Sequence, residues 1–211
     1  MSTFDQILPK TLGWEGGHKF TDDPADPGGA TRYGISLRFL RGEDRAGDID
    51  HDGDVDAADI RALTEEQASE LYRREFWDKC RCDELPASLA MAVFDTAVNV
   101  GAAKAVTLLQ TELNSHSDSH PFLTVDGGMG KNTVSAAIQA TQKISPDRLA
   151  LDYLNRRLRL YGDLAKAPAR AKYLRGWTSR VAALKDFILT QWPGTGQLQA
   201  NEQTNKPVGP A

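Results

Sequence analysis

Apolar residues recur at helical spacing along most of the chain. The first such segment has one apolar face, formed by Phe4, Ile7, Leu8, Thr11 and Leu12. Ser2 and Thr3 precede it as cap candidates, and Gly16-Gly17 follows it as a stop signal. The pattern therefore predicts a first helix that ends near Glu15.

The same periodicity predicts a series of further helices. Ser88–Val100 is apolar on nearly every side, which is typical of a central buried helix. Thr64 and Gln67 form a capping-box pattern at the start of another helix. The predicted segments are Leu37–Leu40, Thr64–Asp78, Ser88–Val100, Ala102–Leu113, Thr133–Lys143, one opened by Ser145-Pro146-Asp147, and Trp177–Gln191.

Two prolines and three glycines interrupt the stretch Phe20–Ser36, which excludes a regular helix and suits a shaped loop or a short hairpin. No alternating strand pattern stands out elsewhere. The predicted fold class is therefore all-α, mainly helical, with room for one small β-hairpin in this stretch. Residues 193–211 are polar and rich in Gly, Gln and Asn, so a disordered tail is expected there.

Composition narrows the class of protein. A chain of 211 residues with 40% hydrophobic content can bury one core, or two closely packed ones. The net charge of −4 argues against a nucleic-acid binder. No run approaches the roughly 20 apolar residues that span a bilayer, so we expect no membrane insertion. Cys80 and Cys82 are too close in sequence for a stabilising disulfide and are interpreted as reduced thiols. A monomer is the default expectation.

Glu15 is the first candidate for chemistry. The negative pole of its helix and the apolar neighbour Trp14 both disfavour an ionised carboxylate. A carboxyl group in its acid form is what glycoside cleavage requires of a general acid. Asp23 and Asp26 follow on a loop that could return towards it and complete a pair of carboxylates.

Two further residues of this loop, Thr31 and Tyr33, are candidates for holding a water or a sugar hydroxyl. Taken alone, one glutamate after a tryptophan is weak support, and a solvated carboxylate at a helix end is the more common case.

A longer sequence pattern favours the interpretation of Glu15 as a general acid. Trp14-Glu15-Gly16-Gly17 is followed by an Asp-Pro-x-Asp-Pro-Gly-Gly-x-Thr segment at 23–31 and by Tyr33-Gly34-Ile35. This arrangement resembles the signature of glycoside hydrolase family 108 endolysins. The resemblance implies a lysozyme-like helical fold, N-acetylmuramidase activity on peptidoglycan, and a catalytic role for Glu15. The sequence departs from the family only mildly, at His18, Lys19 and Ser36.

The second half also resembles the peptidoglycan-binding region found beside such catalytic segments. The matching runs are 94–101, 125–130 and 173–180. We therefore expect a catalytic region at 1–85 and a helical peptidoglycan-binding region at 86–192, packed into one globule. Asp95 and Asn99 share a helix face and need partners if buried. Anchoring of neighbouring backbone is the favoured role of the pair, and substrate binding by Asn99 is the alternative.

An acidic loop interrupts the catalytic region at 48–59. Oxygen-bearing residues stand at positions one, three, five, nine and twelve, glycine stands at six, and the backbone carbonyl of Asp54 would serve at seven. The pattern is that of an EF-hand calcium loop, and its terminal aspartate resembles dockerin loops. The metal candidates are Asp48, Asp50, Asp52, Asp54, Asp56 and Asp59.

A single loop seldom makes a sensor, so one structural Ca²⁺ is the hypothesis for this segment. The alternatives are a solvated acidic loop and a cohesin-binding dockerin, which would need a second loop.

Three functions stay open. The leading one is a phage lysozyme that hydrolyses the β-1,4 bond between N-acetylmuramic acid and N-acetylglucosamine. A lytic transglycosylase would use the same glutamate, and a catalytically silent module would only bind peptidoglycan. Because no secretory signal pattern stands at the N-terminus, the resemblance implies an enzyme held in the host cytoplasm until a holin-type pore releases it to the cell wall.

Overall fold

The computed structural model describes residues 2–23, 26–116 and 123–191. The chain forms two compact units, Met1–Lys79 and Cys80–Ala211. The predicted tail at 193–211 lies outside the described residues, and the packing of both regions into one globule stays a prediction. Within the described ranges, no helix has the length and apolar character needed to cross a membrane.

The first unit begins with helix α1, Thr3–Trp14, whose predicted apolar face is buried. Ser2 caps this helix and forms a capping box with Asp5. Glu15 is the C-cap, as the Gly-Gly stop signal predicted. Ring contact between Phe4 and Trp77, at a centroid distance of 5.3 Å, ties α1 to the end of the unit.

A two-stranded antiparallel hairpin follows, which confirms the expected departure from an all-helical chain. Its strands are β1, Thr31–Arg32, and β2, Ile35–Ser36, with Thr31 opposite Ser36. Tyr33 and Gly34 form the turn, and both have positive φ angles, of 53° and 75°. Positive φ at both central residues is the type I′ geometry that suits the right-handed twist of a hairpin.

The rest of the first unit is helical around the acidic loop. Helix α2 is Leu37–Leu40, a 3-10 turn covers Arg41–Gly47, and α3 is Ala57–Ala62. Helix α4, Glu65–Tyr72, begins at the predicted Thr64 capping box. The predicted helix to about Asp78 is confirmed in its extent, but its second half, Arg73–Asp78, has π geometry in place of α geometry.

The second unit is built around helix α5, Ala87–Val100, in which every residue from Ser88 to Ala97 is buried. This confirms the central helix inferred from its apolar sequence. The other elements described in this unit are a 3-10 turn at Cys82–Glu84, α6 Ala102–Ser115, α7 Lys131–Ala140, α8 Pro146–Leu164, α9 Pro168–Ala171, α10 Leu174–Asp186 and a π turn at Phe187–Gln191. Helices α6 and α8 pack against α5, α7 packs against α6, and α10 packs against α8.

A buried charge cluster joins three of these helices. The Asp95 carboxylate on α5 accepts hydrogen bonds from Arg157 of α8 at 2.5 Å and from Arg180 of α10 at 2.8 Å. Arg157 also donates to the hydroxyl of Tyr161. Burial alone would raise the pKa of Asp95, but the two guanidinium groups outweigh it and hold that pKa below its usual value. The partners that a buried Asp95 was predicted to need are therefore present.

Candidate active site and metal centre

Glu15 is half-buried at the end of α1. Its backbone N–H donates to the carbonyl of Thr11, the last such bond of the helix. Gly16 and Gly17 then take positive φ angles of 96° and 62°, and Gly17 N–H donates to Leu12 at 2.8 Å. Only glycine adopts such angles without cost. The Gly-Gly pair therefore ends the helix at the residue that carries the carboxyl group.

The hairpin turn packs directly against the Glu15 side chain. A β-carbon built on Gly34 would lie 2.5 Å from the Cβ of Glu15 and 2.5 Å from the hydroxyl oxygen of Tyr72. That hydroxyl donates to the carbonyl of Tyr33 at 3.0 Å, and Tyr33 N–H donates to Gly17. The turn is thus held between the end of α1 and the buried ring of Tyr72.

Gly34 and Tyr72 were missed as site residues by the sequence reasoning. Glycine is common in the two-residue turns of hairpins, and this signal could have marked Gly34, although Tyr33 is not a usual residue for the first position of such a turn. Nothing local marks Tyr72, because its contact joins α4 to a turn that lies far away in sequence.

Asp23 and Asp26 both lie exposed on the loop before the hairpin. One carboxylate oxygen of Asp26 accepts from Gly28 N–H at 2.7 Å, and its carbonyl accepts from Gly29. Asp26 N–H in turn donates to the carbonyl of Asp23. These bonds orient the Asp26 side chain within an Asx turn, and the choice of second catalytic carboxylate between the two stays open.

Thr31 and Tyr33 occupy the hairpin itself. The Thr31 hydroxyl donates to the carbonyl of Gly29 at 3.2 Å, and its backbone pairs with Thr21. Tyr33 is buried, with the Arg32 guanidinium 5.1 Å from the centre of its ring. Contact of either residue with substrate stays a prediction.

Asn99 belongs to the second unit, at the end of α5. Its side-chain oxygen accepts a hydrogen bond from the Tyr161 hydroxyl. Tyr161 in turn stacks on Trp177 at a centroid distance of 5.0 Å. The favoured role of Asp95 and Asn99 was to anchor neighbouring backbone, and it is wrong, because the hydrogen bonds described for both go to side chains of other helices. Contact of Asn99 with substrate stays a prediction.

The acidic loop folds into two groups of carboxylates. In each group, one oxygen from every residue lies within 4.8 Å of the others. Gly53, at the sixth position of the loop, has a φ of 102°, as the sharp turn of an EF-hand loop requires. The two groups are Asp48, Asp50 and Asp52, and Asp54, Asp56 and Asp59.

The buried Asp59 organises this loop. Its carboxylate accepts from the N–H groups of Ile49 at 2.6 Å and of Asp56 at 2.7 Å. Burial would raise the pKa of Asp59, yet these backbone donors together lower it. The final position of the loop therefore carries a charged carboxylate that closes the loop upon itself.

Two observations fit a bound cation. Oδ1 of Asp48 is buried and accepts no hydrogen bond from the residues that the structure describes. The second observation is the crowding of the carboxylates. Partial desolvation and the neighbouring Asp52 and Asp59 raise the pKa of Asp50, and Asp52 likewise raises the pKa of Asp54. A divalent cation would accept the orphaned oxygen as a ligand and relieve the repulsion.

Comparison with known proteins identifies the family of this chain. Residues 8–101 match the family described as Glycosyl hydrolase 108, and residues 104–182 match a Predicted Peptidoglycan domain. The solved structure of SagA from Brucella abortus is 32% identical, with a TM-score of 0.68, and the match covers 89% of this chain and 94% of that chain. The chain belongs to the glycosyl hydrolase 108 family. No curated protein sequence matched it.

Membership of this family makes the chain a glycosidase, and the match at 104–182 supports peptidoglycan as its binding partner. The segment that matches glycosyl hydrolase 108 contains Glu15, the hairpin and the acidic loop. The segment that matches the peptidoglycan domain contains α7, α8 and all but the first two residues of α6.

Proposed function

We propose that this glycosyl hydrolase 108 protein is a bacteriophage endolysin. It is an N-acetylmuramidase that hydrolyses the β-1,4 bond between N-acetylmuramic acid and N-acetylglucosamine, with Glu15 as general acid. The observation that carries the proposal is the placement of Glu15 at the end of α1, with the hairpin turn packed on its side chain, inside the family segment.

The proposed chemistry follows from this placement. The Glu15 carboxyl group donates its proton to the glycosidic oxygen as the bond to the muramic acid breaks, and the sugar ring develops positive charge. Asp26 or Asp23 stabilises that charge or activates the attacking water. Close packing of Gly34 restricts the stem of Glu15, which holds the acid in one position without a reorganisation cost.

Turbidity loss of Gram-negative cells with permeabilised outer membranes tests the activity. We expect lysis by the wild type and none by Glu15→Gln, with circular dichroism showing that both are folded. Asp26→Asn and Asp23→Asn identify the second carboxylate. Lysis by Glu15→Gln at the wild-type rate would rule out the assignment of the acid.

Mass spectrometry of the released fragments separates two reactions that use the same glutamate. A hydrolase gives reducing muramic acid ends, whereas a lytic transglycosylase gives a 1,6-anhydro product. Binding to sacculi without any release would favour the catalytically silent module.

We also propose that the acidic loop holds one structural Ca²⁺. Side-chain oxygens of Asp48, Asp50, Asp52, Asp56 and Asp59 and the backbone carbonyl of Asp54 are the ligands. The buried Asp48 oxygen and the positive φ of Gly53 support this assignment. Bound calcium supplies charge neutralisation, and it orders the segment between the hairpin and α4 rather than taking part in bond cleavage.

In this proposal the protein acts in the lysis of the infected host cell. The protein acts as a monomer that waits in the cytoplasm of the infected host. A holin-type pore then releases it to the periplasm and cell wall.

A further inference from the structure

The second unit contains a cleft of about 760 Å³ that no step of the proposed hydrolysis uses. It opens between the end of α6, the segment 123–130 and one face of α7. The volume lies in the range typical of ligand sites. The whole cleft falls within the part of the chain that matches the peptidoglycan domain.

Two carboxamides of α6 hold the walls of the cleft in place. The buried Gln110 donates to Asp126 and to the carbonyl of Gly128, and its oxygen accepts from the N–H groups of Asp126 and Gly127. Asn114 exchanges a reciprocal pair of bonds with the backbone of Leu123, both of 2.9 Å. The walls are therefore built before any ligand arrives, which lowers the entropic cost of binding.

The opposite wall presents polar groups to the cleft. Asn132, Ser135 and Gln139 are exposed and lie on one face of α7, with the small residue Ala136 between them. Among the described residues, no side chain forms a hydrogen bond with these three. The face thus offers two carboxamides and a hydroxyl, each able to donate and to accept, while Leu113 adds apolar surface.

Charges of both signs line the same cleft. Donors from Gln110 and Gly128 lower the pKa of Asp126, so its carboxylate stays ionised. Lys131 begins α7 and brings an ammonium group. A ligand that suits this lining carries backbone amides, small apolar side chains, and both a carboxylate and an ammonium group.

We propose that this cleft binds the stem peptide of peptidoglycan. Stem peptides combine amide bonds, alanine methyl groups and a diamino acid with both charges, which is the chemistry that the lining complements. The inference rests on the proposed function in one respect, because it takes peptidoglycan as the substrate. The cleft would select glycan strands that still carry peptides and retain them near the enzyme during cleavage.

Binding is measured by calorimetry on the full chain carrying Glu15→Gln, which removes turnover. The probes are a disaccharide-tetrapeptide, the tetrapeptide alone and the peptide-free disaccharide. Ser135→Arg fills the cleft, and Ile138→Arg is the matched control, since Ile138 is exposed on the same helix and does not line the cleft. We expect Ser135→Arg to weaken tetrapeptide binding by more than about tenfold and Ile138→Arg to change it less than about twofold.

A second variant removes hydrogen bonds without adding bulk. The double substitution Asn132→Ala with Gln139→Ala should weaken tetrapeptide binding by about tenfold, the size expected for two lost hydrogen bonds. In the protein with an unmutated cleft, the NMR signals of the Asn132 and Gln139 side-chain amides should shift when the tetrapeptide is added. No tetrapeptide binding, or equal shifts with the peptide-free disaccharide, would overturn the proposal.

A separate assay tests the proposed hydrolysis independently of binding to the cleft. Release of reducing ends from peptide-free glycan by the chain with an intact Glu15 reports muramidase activity alone, and Ile138→Arg, outside the cleft, should leave it unchanged. Tetrapeptide binding without any release of reducing ends would keep the cleft assignment and reject the enzymatic one.

Discussion

Gly34 and Glu15 are in such close contact that no side chain fits between them: a β-carbon on Gly34 would stand 2.5 Å from the Cβ of Glu15. The contact joins the hairpin turn to the end of α1. It makes the position of the proposed acid depend on a residue that has no functional group of its own.

The first prediction concerns this contact. Gly34→Ala adds a methyl group at 2.5 Å from both Glu15 and Tyr72 and places alanine at a φ of 75°. We expect kcat on glycan to fall by about 100-fold, since a displacement of about 1 Å can have that effect, and stability to fall by about 1–3 kcal/mol. Rates on soluble glycan and thermal unfolding check both values.

Gly42→Ala is the control for this experiment. Gly42 is exposed, and a β-carbon there would meet nothing within 4 Å. It should leave rate and stability unchanged. Wild-type kinetics in Gly34→Ala would show that the hairpin does not position the acid.

The second prediction removes the hydroxyl group that holds the turn. Tyr72→Phe leaves the buried carbonyl of Tyr33 without that donor, at 3.0 Å in the native protein. We expect a loss of about 1–3 kcal/mol in the free energy of unfolding. Because the turn then moves more freely against Glu15, kcat should fall while KM stays close to the native value.

Tyr173→Phe provides the matched comparison, because Tyr173 is 50% exposed in the second unit. The same chemical change there should alter neither kcat nor melting temperature. If Tyr72→Phe loses stability with kcat intact, Tyr72 supports the fold and does not position the acid.

The third prediction concerns calcium. Adding Ca²⁺ after chelation should raise the melting temperature, because a ligand at 100 times its Kd stabilises the folded state by about 2.7 kcal/mol. Asp50→Ala removes a proposed side-chain ligand and should abolish the shift. Asp54→Ala should retain it, since Asp54 is proposed to bind through its backbone carbonyl.

Calorimetric titration of Ca²⁺ into both variants gives the same comparison directly. An unchanged melting temperature with and without Ca²⁺ in the wild type would reject the structural site. Equal losses in Asp50→Ala and Asp54→Ala would contradict the assignment of ligands along the loop.

The fourth prediction addresses the buried charge cluster. Asp95→Asn leaves the buried Arg157 without a compensating charge. We expect a loss of about 3–5 kcal/mol in the free energy of unfolding. Asp163→Asn is the comparison, because its ion pair with Lys166 is exposed to solvent and its loss should leave the free energy of unfolding nearly unchanged.

The same cluster sets a direction for the pH dependence. Arg157 and Arg180 hold the pKa of Asp95 below its usual value of 3.8, so the folded state binds that proton more weakly than the unfolded chain. This contribution to stability is fully present above the usual value and is lost as the pH falls through the lower, folded value. Urea unfolding across the acid range should show this loss in the wild type and not in Asp95→Asn.

Local signals determined much of this protein from its sequence alone. The end of α1 at Glu15, the capping box at Thr64 and the turn at Gly53 each depend on residues a few positions apart. Such features follow from dihedral preference and from caps that act within one turn. An Asp56–Asp59 capping box likewise marks the start of α3.

Periodicity alone could not place the change from α to π geometry at Arg73–Asp78, because a π segment of little more than one turn inside a longer helix is too short to alter the repeat of apolar residues. Contacts between distant positions were equally out of reach. The packing of Gly34 on Glu15, the Gln110 clamp on the 126–128 turn and the Arg157–Asp95 pair join residues far apart in sequence. Sequence reasoning thus identified which residues could do chemistry, and only the tertiary structure decided which of them are held in place, because that depends on the path of the whole chain.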